Sequence, residues 1–317
     1  MRLFNSLLEI EGISGTVIAL GNFDGVHAGH QELIARTVKE AGAANLMSAV
    51  FTFSNHPKNV LSRSKRVKSI LYPDEKAAII ERLGVDYMFN IPFDSEIQHM
   101  EPVEFISKLL IKKLLMREAC CGFNYRFGIK ASGNIETLMK ESIKKHFGIH
   151  VIEPVRIDGQ VVSSSLIRKL IERGDVEACK RFMGRHYTMG GEVIVGNRLG
   201  KSIGFPTSNI IVDDSMVSPA NGVYITNCVF KGKRYQSVTN VGVKPTTGVF
   251  EKNVETHIFD FDKEIYGKTI RIEFLKKTRD EKKFDSIEEL TKQIARDCIM
   301  AKSFHREKGE NLPAFTD

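Results

Sequence analysis

Gly21-Asn22-Phe23-Asp24-Gly25-Val26-His27-Ala28-Gly29-His30 follows directly on the β-branched, apolar run Thr16 to Leu20. Beyond it Leu33, Ile34, Thr37, Val38 and Ala41 recur at the three- and four-residue spacing of one helix face. Strand, glycine-bearing turn and helix in that order are the first half of a βαβ unit. In an open α/β sheet ligands bind beyond the carboxyl ends of the strands. A helix N-terminus placed there offers unpaired N–H groups and a positive dipole end to phosphate, and the glycines let the backbone come close. His27 and His30 are three residues apart, so a helix starting at them lets both reach one ligand from the same side. A metal site needs more than two ligands, and no third His, Cys or carboxylate stands at suitable spacing.

The same alternation continues outward from this stretch. Strand candidates at Ser48 to Phe53, Val85 to Asn90, Glu118 to Cys121 and His150 to Ile152 are separated by amphipathic windows, which predicts a doubly wound parallel sheet covered by helices. Asp74 reads as the cap of a helix stopping at Gly84, and Pro102 as the first turn of one running to about Met116. Two more helical windows, Ser163 to Glu172 and Asp175 to Met183, precede a change of pattern at Gly184-Arg185-His186. The domain boundary is placed there, giving domains 1–184 and 185–317. After it, period-2 segments around Gly191 to Val195, Gly222 to Phe230, Tyr235 to Val241, Val254 to Phe261 and Thr269 to Leu275 predict a small antiparallel barrel. A last helix from Ser286 to about Lys302, with Ile287, Leu290, Ile294 and Cys298 on one face, is expected to pack on it.

The totals agree with two modules. The chain has 317 residues, 42% of them apolar and 27% charged, enough for two buried cores and too many residues for one ordinary domain. Its apolar runs are strand-length, far short of the roughly 20 residues of a membrane span. The N-terminus meets Glu9 and Glu11 before any long apolar core, unlike a signal peptide. A cytoplasmic location is expected, and the five cysteines, without CxxC spacing, read as reduced buried thiols. A net charge of +7 comes with no nucleic-acid-binding signature and suits a protein that handles anionic nucleotides. The basic run Arg63 to Lys68 reads as a solvated loop, or as a patch steering anions.

A second glycine-rich loop, Gly196-Asn197-Arg198-Leu199-Gly200-Lys201-Ser202-Ile203-Gly204-Phe205-Pro206-Thr207-Ser208-Asn209, leads into a strand. It is neither a Walker A loop nor a Rossmann fingerprint. Pro206 fixes its own φ and restricts Phe205, so the loop has a defined shape.

Taken together these motifs resemble a known family. The GxFDGxHxGH run is similar to the signature of the bacterial FAD synthetase branch of nucleotidyltransferases, as are Phe51-Thr52-Phe53 with His56-Pro57, Asp74-Glu75-Lys76, Gly122 to Gly128 and Ser163-Ser164-Ser165-Leu166-Ile167-Arg168. Gly204 to Asn209 resembles the GFPTxN motif of riboflavin kinases. Gly222-Val223-Tyr224, Asn240-Val241-Gly242, Pro245-Thr246, Val254-Glu255-Thr256-His257, Asp260-Phe261, Tyr266-Gly267 and Arg279 to Phe284 follow in the order of the bifunctional riboflavin kinase/FAD synthetases. The resemblance implies phosphorylation of riboflavin to FMN and adenylylation of FMN to FAD, with ATP as co-substrate and Mg²⁺ as cofactor. It implies catalytic roles for His27, His30, Arg168 and Glu255, the last as the base that accepts the ribityl proton. It implies ATP and flavin binding by Gly21, Phe23, Asp24, Gly25, Asn124, Arg126, Ser163, Ser164, Gly196, Gly200, Lys201, Gly204, Pro206, Asn240 and Arg279, and metal binding by Thr207 and Asn209. Riboflavin, FMN, FAD and ATP are the expected partners, with neither nucleic acid nor membrane; the oligomeric state stays open. So do two other readings, an enzyme with one of the two activities and a flavin-binding regulator without catalysis.

Overall fold

The structure is a computed structural model that describes residues 1–61, 66–196, 199–246 and 249–308, with the side chains of 199, 201, 244–246 and 249–251 also outside the description. It divides into two compact units, Met1–Ser164 and Ser165–Asp317.

In the first unit β1 (Arg2–Phe4), β2 (Thr16–Leu20), β3 (Met47–Phe53), β4 (Tyr87–Ile91), β5 (Met116–Gly122) and β6 (Gly148–Ile152) lie in the order β1-β4-β3-β2-β5-β6. Every neighbouring pair is parallel. The helices are α1 (Ala28–Ala44), α2 (Pro57–Leu61), α3 (Pro73–Arg82), α4 (Ser95–His99), α5 (Pro102–Glu104), which runs on as π-helix over Phe105–Lys113, and α6 (Ile135–Lys145); a small hairpin of β7 (Arg156–Ile157) and β8 (Gln160–Val161) follows. All five residues of β2 and of β4 are buried, as a parallel sheet covered on both faces requires. The winding reverses between β2 and β5: the chain builds β3 and β4 on one side of β2, then crosses to place β5 and β6 on the other. Such a switch point opens a crevice at the strands' carboxyl ends. The loop after β2 and the loop after β5 both begin there, because Leu20 pairs with Cys121.

The second unit holds α7 (Ser164–Arg173, all but its first residue), α8 (Val176–Met183), a closed barrel, the short α9 (Leu199–Ser202) and α10 (Ile287–Lys308). The barrel strands are β9 (Tyr187–Ile194), β10 (Ser208–Ile211), β11 (Gly222–Phe230), β12 (Lys233–Thr246), β13 (Val249–Ile258) and β14 (Thr269–Arg279). They close antiparallel in the order β10-β13-β12-β11-β14-β9. Alternation sorts the two faces of these strands. On one face the buried hydroxyls of Ser237, Thr226, Thr239 and Thr256 form a ladder with O···O distances of 2.8–2.9 Å. On the other, Val223, Ile225, Val238 and Leu275 pack with Cys298 and Ala301 of α10.

The expected architecture is present, with corrections in detail. Asp74 does not cap α3: Tyr72 holds that position, Pro73 begins the helix, and Asp74 sits in its first turn, facing the positive dipole end. The helix after Pro102 ends at Lys113 in π-helical form, and Met116 already belongs to β5. Ile287 is 60% exposed; the packed face of α10 lies further along, through Ile294, Cys298 and Ala301. Three short strands, β1, β7 and β8, add to those expected, and β10 is the strand into which the second glycine loop leads. All five cysteines are free and buried, and burial pushes their thiols up to about 11 or 12, which keeps them unreactive.

Gly184 is the left-handed cap of α8, with φ 72°, so it marks where helix gives way to strand. The compact units divide earlier because α8 packs against β9 and β14, burying Val176, Cys179, Phe182 and Met183. A fragment beginning at Ser165 is therefore expected to be more stable than one beginning at Arg185, by about 5 kcal/mol for the lost burial of Phe182, Met183 and their neighbours. Urea unfolding of the two fragments checks this; equal midpoints would show that α8 adds nothing to the barrel.

Candidate active sites

In the first unit the loop from Gly21 to His27 carries α1 into the crevice. His27 is the N-cap of α1, and its Nδ1 accepts the backbone N–H of His30 at 3.3 Å. That bond requires a lone pair on Nδ1, so Nε2 carries the ring proton and is a donor. The His30 ring stacks on His27 with centroids 3.7 Å apart and planes 13° from parallel, and Phe23 backs His30 at 5.1 Å. One capping bond thus fixes helix start, tautomer and ring pair together. The spacing of three in the sequence becomes a stacked pair because the helix begins between the two histidines.

The loop is strained. Phe23 and Val26, both fully buried, have φ of 50° and 32°, a region a β-branched residue rarely occupies, at a cost of order 1–3 kcal/mol each. Gly25, at φ 83° and with Ile70 Cδ1 3.1 Å from where a Cβ would lie, is the position that requires glycine. Four contacts over-determine the shape: Thr52 Oγ1 donates to the Asn22 carbonyl (2.9 Å), the Ile70 N–H to Asp24 Oδ1 (2.9 Å), Ser164 Oγ to the Asp24 carbonyl (2.8 Å) and Gln31 Nε2 to the Val26 carbonyl (2.9 Å). Gly21, Phe23, Asp24, Gly25, His27, His30 and Ser164 are therefore one connected element, and Ser163 directly precedes it in α7's approach. Lys76, the last residue of the Asp74-Glu75-Lys76 triplet, reaches the same place: its Nζ donates to the Phe53 carbonyl (3.2 Å) and to Thr52 Oγ1 (3.4 Å).

Asn124 and Arg126 line a cavity of about 330 Å³ with Phe123, Tyr125, Asn134, Ile135 and Glu136. The loop carrying them is tied to β6 by the Phe123 N–H on the Ile152 carbonyl, 3.0 Å, and Tyr125 stacks on Phe127 at 5.6 Å. Arg168 lies half-buried on α7, in the second unit. Among the described residues the one cluster of three metal-capable groups is Glu40, Glu118 and His150.

In the second unit register assembles the site. Asn209 on β10 pairs with Glu255 on β13, Glu255 with Asn240 on β12, Asn240 with Val223 on β11, and Val223 with Arg279 on β14. Directly opposed residues of antiparallel strands share a face, so four of the predicted site residues form one row across five strands. The row opens into a cavity of about 230 Å³ under α10, whose lining includes Gly200, Phe205, Thr207, Asn240, Glu255, His257 and Arg279. Asn253 Nδ2 donates to Glu255 Oε1 at 2.7 Å and orients the carboxylate. Arg279 forms a forked ion pair with the buried Asp297 of α10, at 2.8–3.2 Å, with Gln293 Nε2 adding 2.9 Å to Oδ1. Lys282 and Arg279 flank the Phe284 ring at 5.7 and 5.9 Å.

The glycine loop is closed by the Phe205 N–H on the Gly200 carbonyl, 2.7 Å. A Cβ on Gly200 would meet the Phe205 oxygen at 2.4 Å and Thr207 Oγ1 at 3.3 Å, and one on Gly196 would meet Asn209 Nδ2 at 2.4 Å. Gly204 turns the chain at φ 86° ahead of Pro206. Asn197, Arg198 and the side chain of Lys201 lie outside the described residues, as do the side chains of Pro245 and Thr246.

His257 also belongs to the cavity, as its shared strand face with Glu255 predicts. Its Nδ1 lies 2.8 Å from the Pro206 carbonyl, and a carbonyl only accepts, so Nδ1 carries the proton. The ring thereby ties the nucleotide-type loop to the strand that bears Glu255. His257→Gln, whose amide cannot take the Nδ1 position, is expected to weaken nucleotide binding by this unit roughly 10-fold, while His257→Asn, whose amide can, stays within roughly 3-fold of wild type. Equal values for both variants would show that the bond to Pro206 does not position the loop.

A switch-point loop with a capped histidine pair and a barrel with a carboxylate set beside a closed glycine loop define a two-module, nucleotide-using transferase. A family model described as FAD synthetase matches residues 10–166, and one described as riboflavin kinase matches 183–305. Among curated proteins the chain is 37% identical to a bifunctional riboflavin kinase/FMN adenylyltransferase of Bacillus subtilis, over 89% of this chain and 90% of that one. It is 33% identical to the Haemophilus influenzae protein of the same name, over 92% and 95%, and 32% identical to that of Escherichia coli, over 92% and 93%. The chain belongs to the bifunctional riboflavin kinase/FMN adenylyltransferase family. A crystal structure from Streptococcus pneumoniae, named as a macrolide-efflux protein, superposes with a TM-score of 0.87 at 31% identity, covering 95% of this chain and 98% of that one. The efflux name stays with that protein; no described helix here is long and apolar enough to cross a membrane.

Proposed function

We infer that the barrel unit phosphorylates riboflavin to FMN and that the parallel-sheet unit adenylylates FMN to FAD, with ATP as the substrate of both steps. What carries this reading is that each unit holds its own assembled constellation: the His27–His30 stack at the start of α1, and the Asn209–Glu255–Asn240 row beside the closed loop.

For the first step a ribityl hydroxyl attacks the γ-phosphorus of ATP, the new P–O bond forms as the β,γ-bridging bond breaks, and ADP leaves. The hydroxyl proton needs an acceptor. Three carboxylates line the cavity: Asp297 is committed to Arg279 and Glu281 accepts from Asn221, whereas Glu255, oriented by Asn253, stands in the strand row beside the closed loop and is the acceptor of this reading. Thr207 and Asn209 fit Mg²⁺ by the oxygens their side chains carry: Thr207 lines the cavity, Asn209 stands opposite Glu255 in the row, and a Cβ at Gly200 or Gly196 would crowd them. Bound there, the ion would neutralise charge on the transferred phosphate. Arg279, locked by Asp297, holds the segment to Phe284 in place over the flavin end of the cavity.

For the second step an FMN phosphate oxygen attacks the α-phosphorus and pyrophosphate leaves. The nucleophile is already ionised at neutral pH, so the protein supplies alignment and charge neutralisation rather than a base. The Nε2–H of His27, the ring of His30 and the N-terminus of α1 supply donors and positive field at the crevice. Asn124 and Arg126 offer a polar rim to the substrate, and Arg168 keeps the triphosphate role the resemblance gives it. Catalytic assignments follow 1–184 and 185–317, whereas stability follows the division at Ser164. A cytoplasmic location remains part of this reading.

Incubating the purified protein with riboflavin, ATP and Mg²⁺ and separating the flavins by chromatography tests it. FMN and FAD both accumulate if the reading holds; FMN alone would leave a kinase only, and riboflavin unchanged would leave a flavin-binding protein.

A further inference from the structure

Of the motifs in the first unit, Asp74-Glu75-Lys76 has no part in either reaction as derived above. Pro73 starts α3 and places Lys76 one turn in, so the side chain reaches along the carboxyl end of β3. Its ammonium donates to the Phe53 carbonyl at 3.2 Å and to Thr52 Oγ1 at 3.4 Å. Thr52 in turn donates to the Asn22 carbonyl at 2.9 Å, inside the loop that carries His27. Among the described residues the charged group facing Lys76 is Asp24 of that same loop; Thr52 and the Phe53 carbonyl, from β3, are uncharged. The lysine thus touches the strand end directly, the loop backbone through one hydroxyl, and the loop carboxylate through charge. The loop it braces is the strained one, with Phe23 and Val26 at positive φ, which keeps that shape only while its surroundings impose it.

We propose that Lys76 is a positioning residue for adenylyl transfer: its positive charge clamps the end of β3 to the Asn22–Asp24 segment and so holds the histidine-bearing loop in the form that receives ATP. The inference rests on the adenylyltransferase reading of the first unit.

The charge has a measurable consequence. Burial draws the Lys76 ammonium down from 10.5 to about 8, against the opposing pull of Asp24. The clamp is complete below that pH and is lost as pH rises through it. Stability moves the other way. A lysine depressed in the folded state binds its proton less tightly there than when unfolded, so its contribution to stability rises between about pH 8 and 10.5. A fall in rate over that window is therefore not a loss of fold caused by this group.

The test uses the full-length protein with FMN and MgATP supplied, following kcat/KM for ATP from about pH 6.5 to pH 10, since this ratio reports the free enzyme. Riboflavin phosphorylation in the same preparations is the internal control. Wild type is expected to lose adenylyl transfer as pH rises through about 8. K76R, charged throughout, loses that limb while staying within roughly 10-fold of wild type at pH 7, and K76M, also without the limb, is slower than wild type by roughly 10-fold or more at pH 7, a gap that closes as the wild-type lysine loses its charge. Kinase activity is unchanged in all three. The same alkaline fall in wild type and K76R, or a K76M protein within roughly twofold of wild type at pH 7, would overturn the proposal. Should thermal unfolding show that K76M does not fold, the K76R profile decides alone. A wild type that makes FMN but no FAD would instead overturn the adenylyltransferase reading, and this inference with it.

Discussion

Replacing His27 and His30 together by Ala is expected to abolish FAD formation from FMN while leaving riboflavin phosphorylation near wild type, so that the double variant fed riboflavin stops at FMN. The asymmetry follows from the architecture. The two rings stack on each other within the first unit, and the Glu255 row is built entirely from barrel strands of the second. Donors aimed at charge that develops on the α-phosphate and the leaving pyrophosphate act mainly in the transition state, so turnover should fall more than FMN affinity. His27 has a second task as the cap of α1, and removing a cap costs about 1 kcal/mol. His30→Ala leaves that cap in place and separates the two effects: it should lose rate with little change in thermal midpoint, whereas the double variant should lose both. Chromatography of the products from riboflavin and from FMN, with an unfolding curve for each variant, checks this. Full FAD synthesis in a folded double variant would remove the nucleotidyltransferase assignment; loss of both activities in a folded one would contradict the independence of the two sites.

Glu255→Gln is the mirror experiment. The substituted amide keeps an oxygen that can accept from Asn253, so the side chain should stay oriented while losing its ability to take a proton. Kinase turnover is expected to fall roughly 10²- to 10⁴-fold, the usual contribution of a positioned acid or base, with ATP affinity little changed and FAD synthesis from FMN intact. Steady-state kinetics of both half-reactions measure it, and a kinase turnover within a few-fold of wild type would mean that another group takes the ribityl proton.

The two sites differ in how far the chain alone revealed them. The loop of the first, from Gly21 to His30, was legible almost whole, because it is contiguous and strand, turn and helix each carry their own periodicity. What stayed hidden there was Lys76: a lysine in the first turns of an amphipathic helix looks like any solvated charge, and only the packing of α3 against the end of β3 brings its ammonium to Thr52 and Asp24. The strain at Phe23 and Val26 was equally invisible, since the contacts that impose it come from Thr52, Ile70, Gln31 and Ser164. The boundary at Gly184 was drawn from a change in periodicity, which sees where helix stops and strand begins. It does not see that α8, though helical like the domain before it, spends its apolar face on the barrel.

In the second unit the individual residues were legible and their arrangement was not. Thr207, Asn209, Asn240, Glu255 and Arg279 stand in separate segments, and nothing local says which strands are neighbours. By itself the sequence determined the class of each module, the two glycine loops and the burial of the cysteines, because periodicity, turn geometry and side-chain type act over a few residues. Only the tertiary structure decided that β13 lies between β10 and β12, that Asn209, Glu255 and Asn240 therefore share one row, and that His257 reaches back to Pro206. Register is set by hydrogen bonds and packing between distant segments, and a shift of one residue would turn every one of those side chains to the other face.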